Sequence, residues 1–123
     1  QKDYVINEYF SRGIISNDEK KMIRNFVDQI ISHRSLKKFF SRKNTIYNER
    51  EIFIPPDKVI IPDKICITSD EELSILDYKT GQKKNEHENQ IKNYANALKK
   101  GNFRVKEAFL VYIHNKIEVL KIY

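Results

Sequence analysis

Three carboxylates and one lysine fall on segments that the sequence pattern predicts to be neighbouring strands of one sheet. Asp77 and Lys79 stand two residues apart near the end of one predicted strand, so their side chains point to the same face. Asp63 lies in the middle of the preceding predicted strand, and Glu51 lies in the strand before that. When those strands pair, the four side chains can meet at one end of the sheet. Charged groups in otherwise apolar strands are costly unless they are paired, hydrated or bound to a metal.

Such a cluster suits the hydrolysis of phosphodiester bonds. Mg²⁺ prefers about six oxygen ligands and is usually held by one or two carboxylates, while water and substrate phosphate fill the other positions. A bound metal lowers the pKa of a water molecule and neutralises charge that builds up on the phosphate. Lys79 could orient or deprotonate that water, or stabilise the charge of the transition state.

The first third of the chain has the pattern of helices. Apolar residues recur at helical spacing over 22–31, after a Ser16-x-x-Glu19 sequence that is typical of a helix N-terminus. A short helix is also predicted over 7–12, and a further turn over 36–40. These elements are expected to support the sheet that follows them.

From Tyr47 the apolar period changes from 3.6 to two, which favours strands. The predicted elements are strands over 47–54, 59–67 and 73–79, a helix over 86–100, and strands over 103–113 and 117–123. Short turns between the first three strands favour an antiparallel meander. The long helix then forms a crossover that places the fourth strand parallel to the third. The predicted fold class is α/β, with a mixed central β-sheet flanked by helices.

Length and composition limit the possible classes of protein. The 123 residues predict one domain, with a helical lead-in over 1–45 and a core over 46–123. The 23 Lys and Arg residues exceed the 17 Asp and Glu residues, and the net charge of +6 favours a polyanionic partner. A single cysteine, Cys66, excludes a disulfide framework and a four-cysteine metal site. No apolar run approaches the ~18 residues of a membrane span. We expect a cytoplasmic protein and, because the chain starts at Gln1 rather than Met, a piece of a longer one.

An ordered set of motifs lies on these elements. Glu51 comes first, followed by the Pro62-Asp63 pair and the string Asp77-Tyr78-Lys79-Thr80-Gly81; Gln90 and Tyr94 then stand in a Q-x-x-x-Y spacing. This set resembles the signature of the PD-(D/E)XK nuclease superfamily and is most similar to its RecB-like branch. Within that branch it looks like the C-terminal nuclease domain of AddA-type helicase–nucleases. The resemblance extends from about Tyr47 to Tyr123 and implies a restriction-endonuclease-like core.

The resemblance implies a role for each matching residue. Asp63, Asp77 and the backbone carbonyl of Tyr78 would bind Mg²⁺ or Mn²⁺. Lys79 would be the catalytic lysine and Glu51 an accessory acid. Two further residues, Gln90 and Tyr94, would support the site and touch the DNA strand. The resemblance implies a metal-dependent deoxyribonuclease that acts as an exonuclease in double-strand break repair. The implied partners are a UvrD-like helicase domain in the same chain and a second helicase–nuclease subunit.

Several alternatives stay open at the level of the sequence. Glu49 points the same way as Glu51 and could take its place. RecB-like nucleases usually supply a metal-binding histidine upstream; His33 precedes Glu51 without the expected context, so we expect that histidine to precede Gln1. Lys83 and Lys84 lie beside the end of the third strand, where they could contact DNA phosphates.

The function also has alternatives. A non-catalytic DNA-binding or scaffolding module that retains the nuclease fold would have the same fold and the same basic residues. The motif residues alone do not separate an RNA-processing nuclease from a deoxyribonuclease.

Overall fold

A computed structural model describes residues 17–123 of the chain. The chain divides into two compact units, Gln1–Phe40 and Ser41–Tyr123. The helix predicted over 7–12 and the predicted N-cap Ser16 lie outside the described residues.

The described part of the first unit is helical. Helix α1 (Asn17–Ser32) is followed by a 3₁₀ helix, Lys37–Phe40. Ile23 and Val27 are buried and pack with Ile31 and Phe40. This confirms the predicted helix, although Met22 at the start of the predicted apolar stripe is 48% exposed.

The second unit contains a five-stranded sheet and a separate two-stranded hairpin. In chain order the elements are β1 (Thr45–Asn48), β2 (Ile52–Ile54), β3 (Lys58–Ile60), β4 (Lys64–Ile67), β5 (Glu72–Thr80), α2 (Asn85–Lys100), β6 (Arg104–Ile113) and β7 (Ile117–Lys121). The order of the large sheet is β1-β4-β5-β6-β7, and β2 pairs with β3. The β5–β6 pair is parallel and the other pairs are antiparallel. The predicted α/β fold with a mixed sheet is confirmed, as is the crossover through α2.

The prediction of one long strand over 47–54 and another over 59–67 is wrong, because the structure has two short strands in place of each. Glu49 has φ of 49°, a left-handed conformation that ends β1. Pro62 has no N–H to donate, and β3 ends before it. Asp63 therefore precedes β4 instead of lying inside a strand, and Glu51 lies in the loop before β2. The meander is interrupted by the β2–β3 hairpin, so that β1 pairs with β4.

Helix α2 packs on one face of the large sheet. Its buried residues Ile91, Ala95 and Leu98 belong to one core cluster with Ile75 of β5 and Leu110 of β6. Since side chains alternate along β5, Asp77 and Lys79 lie on this same face, beyond the end of its apolar part. Burial of the apolar stripe thus fixes the height and rotation of α2 over the polar end of β5.

Both ends of the β5–α2 crossover contain glycine, with different backbone requirements. Gly81 has φ of 83° and ends β5, as predicted. Gly101 follows α2 with φ of −81°, while the left-handed residue after the helix is Asn102, at φ of 69°. The helix therefore ends where the sequence predicts, but the reversal falls one residue later.

Neither helix among the described residues combines the length and the apolar character needed to cross a membrane.

The apolar contact between α2 and the sheet gives a stability prediction. Leu98 is fully buried, so Leu98→Ala should lower the free energy of unfolding by about 2–5 kcal/mol through lost burial and an unfilled cavity. The matched control on the same helix is Lys92→Ala, which should change it by less than about 0.5 kcal/mol because Lys92 is exposed. Urea denaturation followed by circular dichroism measures both. Equal effects of the two substitutions would contradict this packing.

Candidate active site

Two hydrogen bonds, each from a backbone N–H to a carboxylate, join the segments that contain Asp63 and Asp77 at the end of the sheet. The backbone N–H of Asp63 donates to Oδ1 of Asp77 at 2.8 Å, and the N–H of Tyr78 donates to Oδ2 of Asp63 at 2.8 Å. Each carboxylate is therefore held by a main-chain donor from the segment that contains the other. This reciprocal arrangement brings together two acidic residues that are 14 positions apart in the chain.

The environment of Asp77 opposes its ionisation. Asp77 is only 4% exposed, and burial together with the negative charge of Asp63 raises the pKa of its carboxyl to about 7. The hydrogen bond from the Asp63 backbone and the charge of Lys79 act in the opposite direction but do not cancel these effects. A cation bound between the two carboxylates would offset both the burial and the repulsion.

Lys79 lies on the same face as Asp77 and is fixed by helix α2. Its Nζ donates to Oε1 of Gln90 at 2.7 Å and is 3.9 Å from Oδ2 of Asp77. Nε2 of Gln90 in turn donates to the hydroxyl of Tyr94 at 3.1 Å. Gln90 and Tyr94 are four residues apart and so share one face of the helix. Gln90 contacts Lys79 directly, and Tyr94 is linked to it through Gln90.

The Tyr94 hydroxyl belongs to the same electrostatic environment. Burial raises the pKa of Tyr94, with further contributions from the charges of Asp77 and Asp63. Hydrogen bonds from Gln90 and from the Ile61 backbone lower it in part. Tyr94 therefore links helix α2 to the segment that leads into Asp63.

The accessory acid proposed from the sequence stands apart from these contacts. Glu51 is exposed in the loop between β1 and β2, so its predicted place within a strand is wrong. Glu49 is the residue whose backbone N–H donates to the carbonyl of Asp63, at 2.9 Å. Loop conformation, which the alternation pattern does not encode, separates the two glutamates.

The structure also gives the surroundings of the basic residues, the histidine and the cysteine that the sequence analysis considered. Lys83 forms an ion pair with Glu118 of β7, and Lys84 is exposed at the N-cap position of α2. The ring of His33, in the first unit, accepts a hydrogen bond from the N–H of Ser35 through Nδ1. The thiol of Cys66 is buried.

Two polar residues near the site have no role in the sequence-based predictions. Lys64, next to Asp63, is only 4% exposed and donates through Nζ to Oδ1 of Asn48 at 2.6 Å. His87 contacts the hydroxyl of Tyr112 through Nδ1 at 2.8 Å. The position of His87, three residues before Gln90 on a predicted helix, is the signal that could have indicated it.

The donor set fits a hard divalent cation. Carboxylate oxygens are the ligands that Mg²⁺ prefers, and Asp63 and Asp77 supply two of them in an environment that disfavours a second negative charge. Among residues 17–123 there is no group of three or more His, Cys, Asp and Glu side chains arranged to hold a metal. The ligand set predicted from the sequence has two carboxylates and one backbone carbonyl, that of Tyr78. In the structure the Tyr78 main chain contacts the site through its N–H.

Comparisons with known proteins define no family for this chain. No family model and no curated protein matches it. Four chains of solved structures match, among them the crystal structure of SSO0001. SSO0001 is 18% identical, with a TM-score of 0.44, over 98% of this chain and 61% of that chain. This chain thus spans about three fifths of the length of SSO0001, and a likeness of this size defines neither a family nor an activity.

The raised pKa of Asp77 predicts how stability depends on pH. The folded protein keeps a proton on Asp77 up to about pH 7, whereas the unfolded chain releases it near its ordinary value of 3.8. Stability should therefore fall as pH rises between these values, by a total on the order of a few kcal/mol. Asp77→Asn cannot ionise and should remove this part of the slope. Denaturation with urea in metal-free buffer at several pH values measures it.

The control for this experiment is Asp57→Asn, which changes an exposed carboxyl in the turn between β2 and β3. It should keep the pH slope of the wild-type protein. An unchanged slope in Asp77→Asn would show that Asp77 is ionised throughout the range and would contradict the environment described here.

Proposed function

We propose that this chain is a metal-dependent nuclease domain of the PD-(D/E)XK type that hydrolyses phosphodiester bonds in DNA. The observation that supports the proposal is the convergence of three of the four sequence motifs, all but Glu51, on one network. Asp63 and Asp77 are joined by a 2.8 Å hydrogen bond, and Lys79 is within 3.9 Å of Asp77 and 2.7 Å of Gln90. A buried carboxyl whose pKa is raised to about 7 beside a second carboxylate is typical of functional sites.

In this proposal Asp63, Asp77 and the backbone carbonyl of Tyr78 hold Mg²⁺ or Mn²⁺. When bound, the ion supplies Lewis-acid polarisation of the phosphate and a more acidic water molecule. The hydrogen bonds from the Asp63 and Tyr78 backbones keep the two carboxylates in fixed orientations, so little rearrangement is needed on binding.

Lys79 acts on the attacking water or on the charge that develops at the phosphate. Its ammonium lies beside Asp77, and Oε1 of Gln90 fixes its position by accepting a hydrogen bond from Nζ. Since Gln90 also donates to Tyr94, helix α2 determines where the lysine can reach. A positioned donor of this kind typically contributes about 10²–10⁴-fold to the rate of proton transfer or charge stabilisation.

The proposed substrate is DNA bound mainly through its backbone. The net charge of +6 favours a polyanion as the partner. Lys83 and Lys84 follow the end of β5, where a DNA strand would enter the proposed site. Contacts to phosphates carry no sequence information, so we expect little sequence specificity.

The wider assignment depends on the motif resemblance. It comprises an exonuclease of double-strand break repair that acts in the cytoplasm, with a UvrD-like helicase domain in the same chain and a second helicase–nuclease subunit.

The central prediction concerns cleavage of linear DNA. Asp77→Ala and Lys79→Ala should each lower the rate of cutting in Mg²⁺ by about 10²-fold or more, because they remove a metal ligand and the group acting at the reacting phosphate. The control on the site's own helix is Lys92→Ala, an exposed lysine, which should cut at the wild-type rate. The cleavage rates of the wild type and the three variants are measured from the release of labelled nucleotides or from fragments on gels. Undiminished cutting by both site variants would overturn the proposal.

Metal titration by calorimetry separates this nuclease from a non-catalytic DNA-binding module. The nuclease should bind Mg²⁺ or Mn²⁺ saturably, and Asp63→Ala should abolish that binding. DNA binding that needs no metal and survives Asp63→Ala, in a chain that does not cut, would favour the module.

The two glutamates of the β1–β2 loop provide a matched pair for the accessory acid. We expect Glu51→Gln to lower the cleavage rate about tenfold by removing negative charge near the metal, and Glu49→Gln to lower it less. Both substitutions leave the backbone contact from residue 49 to Asp63 in place. Single-turnover cleavage measures the difference, and a larger loss in Glu49→Gln would assign the accessory role to Glu49.

A further inference from the structure

His87 and Tyr112 form a hydrogen-bonded pair close to Lys79. Nδ1 of His87 is 2.8 Å from the hydroxyl of Tyr112, and the two rings lie 5.6 Å apart between centroids. Tyr112 is the register partner of Lys79 across the parallel β5–β6 pair, so both side chains lie on the face covered by α2. His87 is therefore held above the strand next to Lys79.

The helix position of His87 matches that of the two site residues that follow it. His87, Gln90 and Tyr94 are spaced three and four residues apart, which places them along one side of α2. Gln90 contacts Lys79, and the charges of Asp77 and Asp63 contribute to raising the pKa of Tyr94. One stripe of α2 thus presents three polar side chains to the ends of β5 and β6.

The charged groups around His87 are mainly cationic. Burial lowers the pKa of His87, and the charges of Lys79 and Lys84 lower it further, while Glu86 acts weakly in the opposite direction. On the β6 side Tyr112 contacts the ring, and Glu118, its register partner on β7, is paired with Lys83. The neighbouring ammonium groups thus disfavour a positive charge on His87, and a bound anion would act in the opposite direction.

We propose that His87 is a further substrate-binding residue of this site, oriented by Tyr112, and that it binds a phosphate of the nucleic-acid strand through Nε2. This inference rests on the proposed function, because it takes the strand to pass over Lys79. The Tyr112 contact occupies Nδ1 and leaves the other ring nitrogen for a ligand. When the Tyr112 hydroxyl donates to Nδ1, Nε2 carries the hydrogen and can donate it to a phosphate oxygen.

The proposed contact makes binding of the nucleic-acid strand depend on pH. A phosphate beside His87 favours the imidazolium, so binding of the strand is coupled to uptake of a proton. Affinity should therefore increase as pH falls through the range in which histidine titrates. A histidine that only ties α2 to β6 would produce no such coupling, since its contact with Tyr112 is present without substrate.

The experiment measures binding of a fluorescent single-stranded oligothymidylate by anisotropy, between about pH 5.5 and about pH 8.5. All proteins contain Asp77→Asn, which removes the titration of that carboxyl and also prevents cleavage. The parent variant should bind about tenfold more tightly at the acidic end, the value of one charge-assisted hydrogen bond. Adding His87→Asn should abolish most of this dependence, because an asparagine amide can still reach Tyr112 but not the position of Nε2.

The matched control is His114→Asn, which changes an exposed histidine of the β6–β7 turn and should keep the pH dependence. Circular dichroism verifies the fold of each variant, and Tyr112→Phe provides a second test by removing the orienting hydroxyl, which should weaken binding at acidic pH. An unchanged pH profile in His87→Asn, or no binding by the parent, would overturn the inference. The two proposals fail separately. If the wild-type chain does not cut DNA but the Asp77→Asn proteins show the expected binding profile, the nuclease activity is refuted and the role of His87 remains.

Discussion

The buried carboxylate of Asp77 is the constraint around which the rest of the site is arranged. It lies near the end of β5, directly after the buried residues Ile75 and Leu76, and is only 4% exposed. A charge in that position is unfavourable unless other groups compensate for it. The Asp63 backbone N–H and the Lys79 ammonium provide part of the compensation, and the raised pKa of Asp77 shows that the compensation is incomplete. A divalent cation is the kind of ligand that would complete it.

Helix α2 couples this polar site to the apolar core. Ile91, Ala95 and Leu98 bury one stripe of the helix against the sheet, and Gln90 and Tyr94 extend from the adjacent part of that surface to Lys79 and the Asp63 segment. The free energy that holds the helix in place comes from apolar burial, and that burial fixes the geometry of the hydrogen bonds on which the proposed chemistry would depend. Core packing and site geometry are therefore parts of one structure.

Much of the fold and of the site could be predicted from the sequence, for reasons that differ between residues. The crossover through α2 follows from periodicity and from the handedness of β–α–β units, and the convergence of Asp77, Lys79 and Gln90 follows from it. The break at Pro62 and the left-handed Glu49 were not predicted, and they displace Glu51 and Asp63 from the strands assigned to them. Residues 48–51 are all polar and residues 59–61 are all apolar, so the apolar pattern does not show where the backbone leaves the sheet.

The sequence by itself determined the identity of the charged residues, the periods that make strands and helices, and the crossover that brings β5 and α2 together. Only the tertiary structure decided that the Asp63 N–H meets Asp77, that Glu49 rather than Glu51 touches Asp63 through its backbone, and that His87 stands over Tyr112. The physical reason is that periodicity specifies which face of an element is buried, through the hydrophobic effect, whereas hydrogen bonds between distant segments depend on loop conformations set by the packing of the whole second unit.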